Sequence, residues 1–583
     1  MPPSGPKCTA RVLAFAAMSY RVPVMAVAAF AAVLEFGGTE GPPYTRGGGT
    51  EGPPYEEQVD TVFAKWSTAT PGCAVGVAEN GSPVLTRAYG MADLEQGTPN
   101  TPDTIFEAGS VSKQFTAAAV LLLARDGKLS LDDPARKYIP ELPDYGAPLT
   151  IRHMLTHTSG LRDWGSVEGI AGWPRTTRAY THAHVLDIVS RQRALNFPSG
   201  TRWSYSNTGF NLAAIIVSRV SGQSFADFTH ARLFAPLGMT HTSWRDDHTR
   251  IVKGRATAYA EAKDGFHIEM PFEDVYGNGG LLTTVGDLLK WNEHFVSPAT
   301  PADKAWVEQQ QEIGAFSDGR QHDYAFGLWI NDHKGVKNVW HSGSTAGYRA
   351  HLNRFPAAHL SVAVLCNVST GEATKTANDV SDLYLASRLK PAAATAAAHV
   401  LTAAEATALA GLYRNTATGL PTSIRADGAS LTVAPDTALT AISATRFVTT
   451  AMLAWEFDGR DGARSTDPFG RIDTYQRVAE ATPSAAELKA LAGVYDSDEA
   501  EATLTVVVVG TSLVMKRRPD TTMVLTPIYA DAFRGASIGT VIFRRTDGRV
   551  TGLSVIQDRV WDLRFQRQMA TDDTPIKRRS GRR

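Results

Sequence analysis

The final third of this 583-residue chain contains the same pattern twice. LTAAEATALAGLYRN begins at Leu401 and PSAAELKALAGVYDS begins at Pro483, so that Gly411 answers to Gly493. Self-similarity of this kind means one supersecondary unit used twice. Each copy continues in short β-branched runs broken by Gly/Asp turns, such as the Asp-Gly-Arg triplets at 458–460 and 547–549. The pattern predicts two all-β modules of about 80 residues, each a small antiparallel barrel or sandwich, at 401–482 and 483–570. An Ala-rich stretch, PAAATAAAHV at Pro391–Val400, precedes them and reads as a linker or the end of a helix.

The chain upstream follows different rules. CAVGVAENGSPVLTRAYG, from Cys73, alternates as a half-buried strand, turns at Asn80-Gly81 and resumes as a second strand, which is a hairpin pattern. From Ser110 the period becomes helical, with Phe115, Ala119, Leu122 and Leu123 on one face and a stop at Gly127. NVWHSGSTAGYRAHLNRF, from Asn338, and LSVAVLCNVS, from Leu360, read as strands again. Strands at both ends with helices between predict an α+β domain over 56–390: one antiparallel sheet drawn from distant parts of the chain and packed with helices.

Composition removes several classes of function. Lys+Arg total 58 against 59 Asp+Glu, so there is no basic field for nucleic acid, and no nucleic-acid partner is expected. Three cysteines, Cys8, Cys73 and Cys366, are too few for a disulfide framework or a Cys-rich zinc site; Cys73 and Cys366 allow one bridge at most. Lys7, Arg11 and Arg21 precede an apolar run, Val22–Leu34, which at about 13 residues is too short for a stable membrane span but suits a signal-peptide core. GTEGPPY occurs at Gly38–Tyr44 and again at Gly49–Tyr55, a Gly/Pro spacer. Residues 1–55 therefore read as an export signal plus spacer, which predicts a periplasmic or secreted protein; the alternative reading is a cytoplasmic one. The basic residues of 571–583 read as a solvated tail.

The chemistry begins at Ser110-Val111-Ser112-Lys113. A serine hydroxyl is a poor nucleophile until a base takes its proton. A lysine three residues along a helix returns to the same face, within reach of the Ser oxygen. The helix N-terminus adds partial positive charge where an oxyanion forms. The spacing alone is weak, because Ser4-x-x-Lys7 and Ser387-x-x-Lys390 share it. A second element, Tyr205-Ser206-Asn207, lies between a Pro-Ser-Gly turn and a helix with Leu212, Ile215, Ile216 and Val220 inward. Tyr205 serves as general base if a cation such as Lys113 lowers its pKa from about 10, and Asn207 orients Lys113 or the substrate. The third element is His341-Ser342-Gly343-Ser344 in a strand. Gly343 lets substrate approach the strand edge; the next backbone N–H, that of Ser344, and the N–H of Ser110 form an oxyanion hole.

In this order and with these flanks, the three elements resemble the serine β-lactamase and penicillin-binding-protein superfamily. The Tyr-Ser-Asn motif is similar to that of class C β-lactamases and their D-peptidase and esterase relatives, as are LTHTSGL at Leu155–Leu161, FAPLGM at Phe234–Met239 and GNGGLLTT at Gly277–Thr284. His341 stands where that superfamily places Lys, as in many of its esterases and D-aminopeptidases. A catalytic domain followed by two small β-barrels is similar in layout to the D-aminopeptidases, as are SVSKQFT at Ser110–Thr116 and SGLRDW at Ser159–Trp164. The resemblance implies acylation of Ser110 and hydrolysis of the acyl-enzyme, with Tyr205 and Lys113 moving protons. It implies no cofactor or metal, and a small-molecule, short-peptide or ester substrate. It also makes the strands that hold Cys73 and Cys366 antiparallel neighbours, so the two thiols can meet. In D-aminopeptidases a loop of the last barrel enters the active site to recognise the free amine. Here the stretch between Tyr529 and Phe543 is short, which implies relaxed specificity.

Competing readings are testable. Gly535-Ala536-Ser537-Ile538-Gly539 has the spelling of a nucleophile elbow, but a strand pattern follows where a helix is required. His153 and His157 have the spacing of two metal ligands on a helix, without a neighbouring Glu. Within the same superfamily the chain is alternatively a carboxylesterase, a β-lactamase or a sensor that acylates without turning over.

Overall fold

The computed structural model describes residues 55–175, 178–390, 399–449, 453–459, 461–467 and 471–568. The apolar leader, the spacer up to Pro54, Cys8, the linker segment 391–398 and the basic tail lie outside the described residues. Six antiparallel strands form the catalytic-domain sheet: β1 (Cys73–Glu79), β2 (Ser82–Tyr89), β3 (Trp329–His333), β4 (Val336–Thr345), β5 (Tyr348–Phe355) and β6 (Leu360–Cys366). They lie in the order β3-β4-β5-β6-β1-β2, so the first strand closes against the last. The expected hairpin turns at Asn80-Gly81, where φ is 50° and 79°. Asn and Gly tolerate this left-handed region, which matches the twist of the flanking strands.

The period of two decides which core each β1 side chain joins. Cys73, Val75 and Val77 pack with Val59, Phe63 and Val380 on one side of the sheet, under helices α1 (Tyr55–Val62) and α5 (Ala373–Leu385). Ala74 and Ala78 face the other core. That core holds α2 (Ser112–Arg125), α3 (Asn207–Ser221) and α4 (Val285–Val296). Small residues are required there: a Cβ on Gly76 would lie 3.0 Å from the Leu289 side chain on α4. Cys73 stands directly opposite Cys366 in the β1–β6 register, and a disulfide joins them. The sequence expected one apolar face on α2, but every residue from Ser112 to Leu123 is buried. The helix runs through the middle of the domain, so beyond its first turn the letters from Phe115 to Leu123 are apolar or small all round.

Both repeats are closed barrels of eight antiparallel strands, from Gly411–Asn415 to Ile472–Val478 and from Gly493–Ser497 to Val560–Arg567. Closure removes exposed strand edges. The repeated opening letters encode a short helix before each barrel, each begun by a capping box, Thr402 with Glu405 and Ser484 with Glu487. The matching tyrosines fasten these helices identically: Tyr413 Oη donates to Leu409 O at 2.8 Å and Tyr495 Oη to Leu491 O at 2.6 Å. The second barrel docks on the catalytic domain. Arg162, 2% exposed at its side chain, pairs with Glu499 at 2.5 Å and donates to Asp562 O at 2.7 Å. Asn196 donates to Arg559 O at 3.1 Å and accepts from Trp561 N–H at 2.8 Å, clamping the last hairpin of that barrel.

Candidate active site

Ser110 sits in a 3-10 turn, Gly109–Val111, that leads into α2, and Lys113 falls in the first turn of that helix. Lys113 Nζ lies 3.1 Å from Ser110 Oγ, 2.9 Å from Asn207 Oδ1 and 2.7 Å from Asn278 O. Asn207 opens α3 and its own N–H donates to Asp163 Oδ2 at 2.9 Å. Asp163 also caps the helix Trp164–Ala171. Asn278 is held through its side chain, which accepts from Asn211 Nδ2 at 2.6 Å. Two helices and the 276–280 loop therefore converge on one amine.

Burial drives the pKa of Lys113 well below its ordinary value, and the nearby Arg559 guanidinium pushes in the same direction. The hydrogen bonds accommodate the neutral amine that burial favours. Asn207 Oδ1 and Asn278 O can only accept, so they take the two N–H groups of a neutral –NH2. The lone pair is left for the Ser110 hydroxyl proton.

Tyr205 is hydrogen-bonded to Ser110, and burial raises its pKa above the usual 10 despite that bond and the Arg559 charge. The expectation that a cation makes Tyr205 a phenolate base is corrected here. Desolvation outweighs the cations, and a largely neutral Lys113 exerts little pull. Tyr205 therefore keeps its phenolic proton at neutral pH. Its ring has Lys113 Nζ 4.7 Å from its centroid, the Arg559 guanidinium at 4.7 Å and the His157 ring at 4.3 Å.

The third motif meets Ser110 through backbone. β3 pairs with β4 only as far as Trp340, so residues 341–345 are paired on the β5 side alone and present an open edge. A Cβ on Gly343 would lie 2.0 Å from Ala108 O and 3.0 Å from Ser110 N, and one on Gly109, where φ is 50°, would lie 2.6 Å from Ser344 N. Only glycine at both positions permits this approach, which sets the Gly109–Ser110 backbone against Gly343–Ser344. Ser342 lines the same cavity, of about 1130 Å³, as Ser110, Tyr205, Asn207 and Ser344.

His341 also borders that cavity, and both of its ring nitrogens are engaged within the fold. Nδ1 donates to Ser342 O at 2.6 Å, so Nε2 is the acceptor for Tyr324 Oη at 3.0 Å. Burial lowers its pKa to about 3. The imidazole is neutral and its one N–H is already engaged, so it offers a substrate no donor.

The decoys form no site of their own, although His157 packs against the Tyr205 ring. Ser537 lies in the tight turn between strands Ala532–Gly535 and Gly539–Thr546 of the second barrel, with Arg517 Nη2 3.2 Å from its Oγ. His153 completes a helix cap through Thr150, and His157 accepts from Ser206 N–H at 3.2 Å. Four site residues escaped the sequence reading. Asn278 contributes a backbone carbonyl, which no side-chain motif reveals, although its GNGGLLTT stretch was legible. Asp163 and Tyr324 act through neighbours. Arg559 arrives from another domain. The Tyr529–Phe543 stretch does form tight turns, yet the barrel still reaches the cavity through the Gln557–Val560 hairpin.

A β-lactamase/transpeptidase-like α+β fold that gathers Ser, Lys, Tyr and two backbone amides defines a serine acyl-transfer enzyme. Residues 56–386 match the model of the beta-lactamase family. The chain is 28% identical over 444 residues to a D-aminopeptidase of Gluconobacter oxydans, covering 74% of this chain and 81% of that one. It is 29% identical over 300 residues to penicillin-binding protein 4* of Bacillus subtilis, covering 48% of this chain and 64% of that one. An octameric penicillin-binding protein homologue from Pyrococcus abyssi shares the fold at TM-score 0.50 and 22% identity, covering 80% of this chain and 98% of that one. The chain belongs to the beta-lactamase family and is a serine hydrolase.

Proposed function

We propose that the protein hydrolyses small amides and esters, D-amino-acid amides and short D-peptides among them, through an acyl-Ser110 intermediate and with relaxed specificity. The observation that carries this reading is the two-acceptor environment of Lys113. Ser110 Oγ gives its proton to the Lys113 lone pair and bonds to the carbonyl carbon. The carbonyl oxygen takes the negative charge against the Ser110 and Ser344 N–H groups. Tyr205 Oη protonates the leaving nitrogen or oxygen as the acyl–leaving-group bond breaks, and the Lys113 ammonium returns that proton to Tyr205. Water repeats the sequence on the acyl-enzyme: its proton goes to Lys113, its oxygen bonds to the acyl carbon, and Ser110 leaves reprotonated.

The D-aminopeptidase relatives support D-amino-acid substrates. Against a preference for β-lactams, His341 has its N–H engaged and cannot supply the carboxylate contact expected of the Lys at that position. Losing a charge-assisted hydrogen bond costs about 1–3 kcal/mol. Export is part of the proposal: the Cys73–Cys366 bridge supports it, since disulfides persist in oxidising compartments. Among the described residues no helix is long and apolar enough to cross a membrane.

The test is kcat/KM for D-alanine p-nitroanilide, its N-acetyl form, p-nitrophenyl butyrate and a chromogenic cephalosporin. We expect steady turnover of the first three, with N-acetylation costing less than about tenfold (under about 1.4 kcal/mol). A fastest cephalosporin, loss of activity on N-acetylation, or a burst without steady state would each contradict it.

A further inference from the structure

We infer that Arg559, carried by the second barrel, is a specificity-determining residue that holds a carboxylate on the leaving-group portion of the substrate. The inference deepens the acyl-serine reading above and rests on it for the meaning of "leaving group".

The argument starts from an unused cation. Arg559 sits in the turn between the last two barrel strands, Arg549–Gln557 and Val560–Arg567, and lines the Ser110 cavity. Among the described residues its guanidinium has no hydrogen bond or ion pair; its one contact of note is the Tyr205 ring. The neighbouring cations are already engaged. Arg175 pairs with Glu273, and Arg245 holds Glu107 at 2.8 and 3.1 Å. A guanidinium offers five donors in a planar fork that matches a carboxylate bidentately. Arg559 is therefore a free anion-binding group at the catalytic end of the cavity, whereas Arg349, which also lines it, spends Nη1 on the Ala346 and Tyr348 carbonyls.

Its position is fixed from behind. The backbone carbonyl of Arg559 accepts from Asn196 Nδ2 at 3.1 Å and from Asp163 N–H at 3.3 Å. The Trp561 ring packs against Phe197 at 5.1 Å between centroids. A hairpin clamped on the catalytic domain from both sides of its tip presents its side chain with little further ordering cost. The tip meets Tyr205, the group that protonates the leaving atom, which puts the guanidinium on the leaving-group side.

Charge argues the same way against a competing occupant. A substrate whose free ammonium approached Tyr205 would meet Arg559 and Arg175 as like charges. An amide or ester whose leaving group ends in a carboxylate, as a dipeptide does, is attracted.

The probe pair is 3-acetoxybenzoate and its neutral methyl ester. Their dissociation constants are measured by titration calorimetry on the full-length Ser110→Ala protein, where the esters stay intact, and on the same protein carrying Arg559→Met or Arg559→Lys. We expect the carboxylate to bind at least about tenfold tighter than the methyl ester. Arg559→Met should abolish that ratio and Arg559→Lys should keep part of it. Matching thermal unfolding midpoints of the three proteins check that the hairpin remains docked. A ratio near one with Arg559 present, or a ratio that survives Arg559→Met, overturns the inference. Turnover of the two esters by the unmodified protein tests the other reading separately: a carboxylate preference with no turnover of either ester contradicts the hydrolase reading and leaves Arg559 in its role.

Discussion

Lys113 shows how one buried position changes the chemistry of a residue. Free lysine is an ammonium at neutral pH and no base at all. Inside the domain, at 0% exposure, burial penalises the charged form and the proton leaves at much lower pH. The sign follows for activity: the base is competent only when deprotonated, so kcat/KM rises with pH through the depressed Lys113 pKa. Tyr205, raised by burial, remains a phenol past pH 10 and sets the alkaline fall beyond it. His341 at about 3 contributes no limb between pH 5 and 8, and burial pulls His157 in the same direction. The pH–rate profile on p-nitrophenyl butyrate should therefore show one acid limb. Arg559→Met should move that limb to higher pH, because a cation that disfavours ammonium has been removed. Lys113→Met should lose at least about a hundredfold in kcat. A limb that stays in place in Lys113→Met would assign it to another group.

At the scale of elements, the close approaches were legible and the electrostatics were not. The Ser110 turn, the Tyr205–Asn207 helix start and the Gly343 strand edge all carry local signatures: a period change, a turn followed by a helix, a glycine within a strand. The inversion of Tyr205 from base to donor depends on how deeply α3 is covered, which no local pattern records. The cysteines illustrate the boundary. That Cys73 begins one strand and Cys366 ends another is visible in the letters, but the register that sets them opposite belongs to the assembled sheet. Their bridge closes a loop 293 residues long. On a chain-entropy account, removing it with Cys73→Ala/Cys366→Ala lowers stability by about 2–5 kcal/mol. Unfolding in urea measures the loss, and unreduced peptide mapping should recover the two cysteines joined; two free thiols would contradict the bridge.

At the scale of the whole molecule, the repeat announced two β modules, and the recurrence of Tyr413 and Tyr495 explains why the letters recur: each fastens a capped helix across its barrel. What the repeat concealed is that the copies are used differently. The second barrel shares a continuous apolar core with the catalytic domain and lends it the Arg559 hairpin. The first packs its apolar interior separately and meets the second through Leu412, Ile528, Tyr529 and Ala532. Interdomain contacts such as Arg162 with Glu499 lie 337 residues apart in sequence, beyond any local pattern. The Gly-x-Ser-x-Gly spelling needed only local pattern: a strand follows it, and Ser537, which matches an elbow in letters, occupies a barrel turn in space. The central claim, that Ser110 is the residue acylated, is tested most directly by a fluorophosphonate probe with mass-spectrometric mapping of the modified peptide. The account predicts equal labelling of the unmodified protein and of Ser537→Ala, on the peptide containing Ser110, and none of Ser110→Ala. Labelling that survives Ser110→Ala and disappears in Ser537→Ala would contradict it.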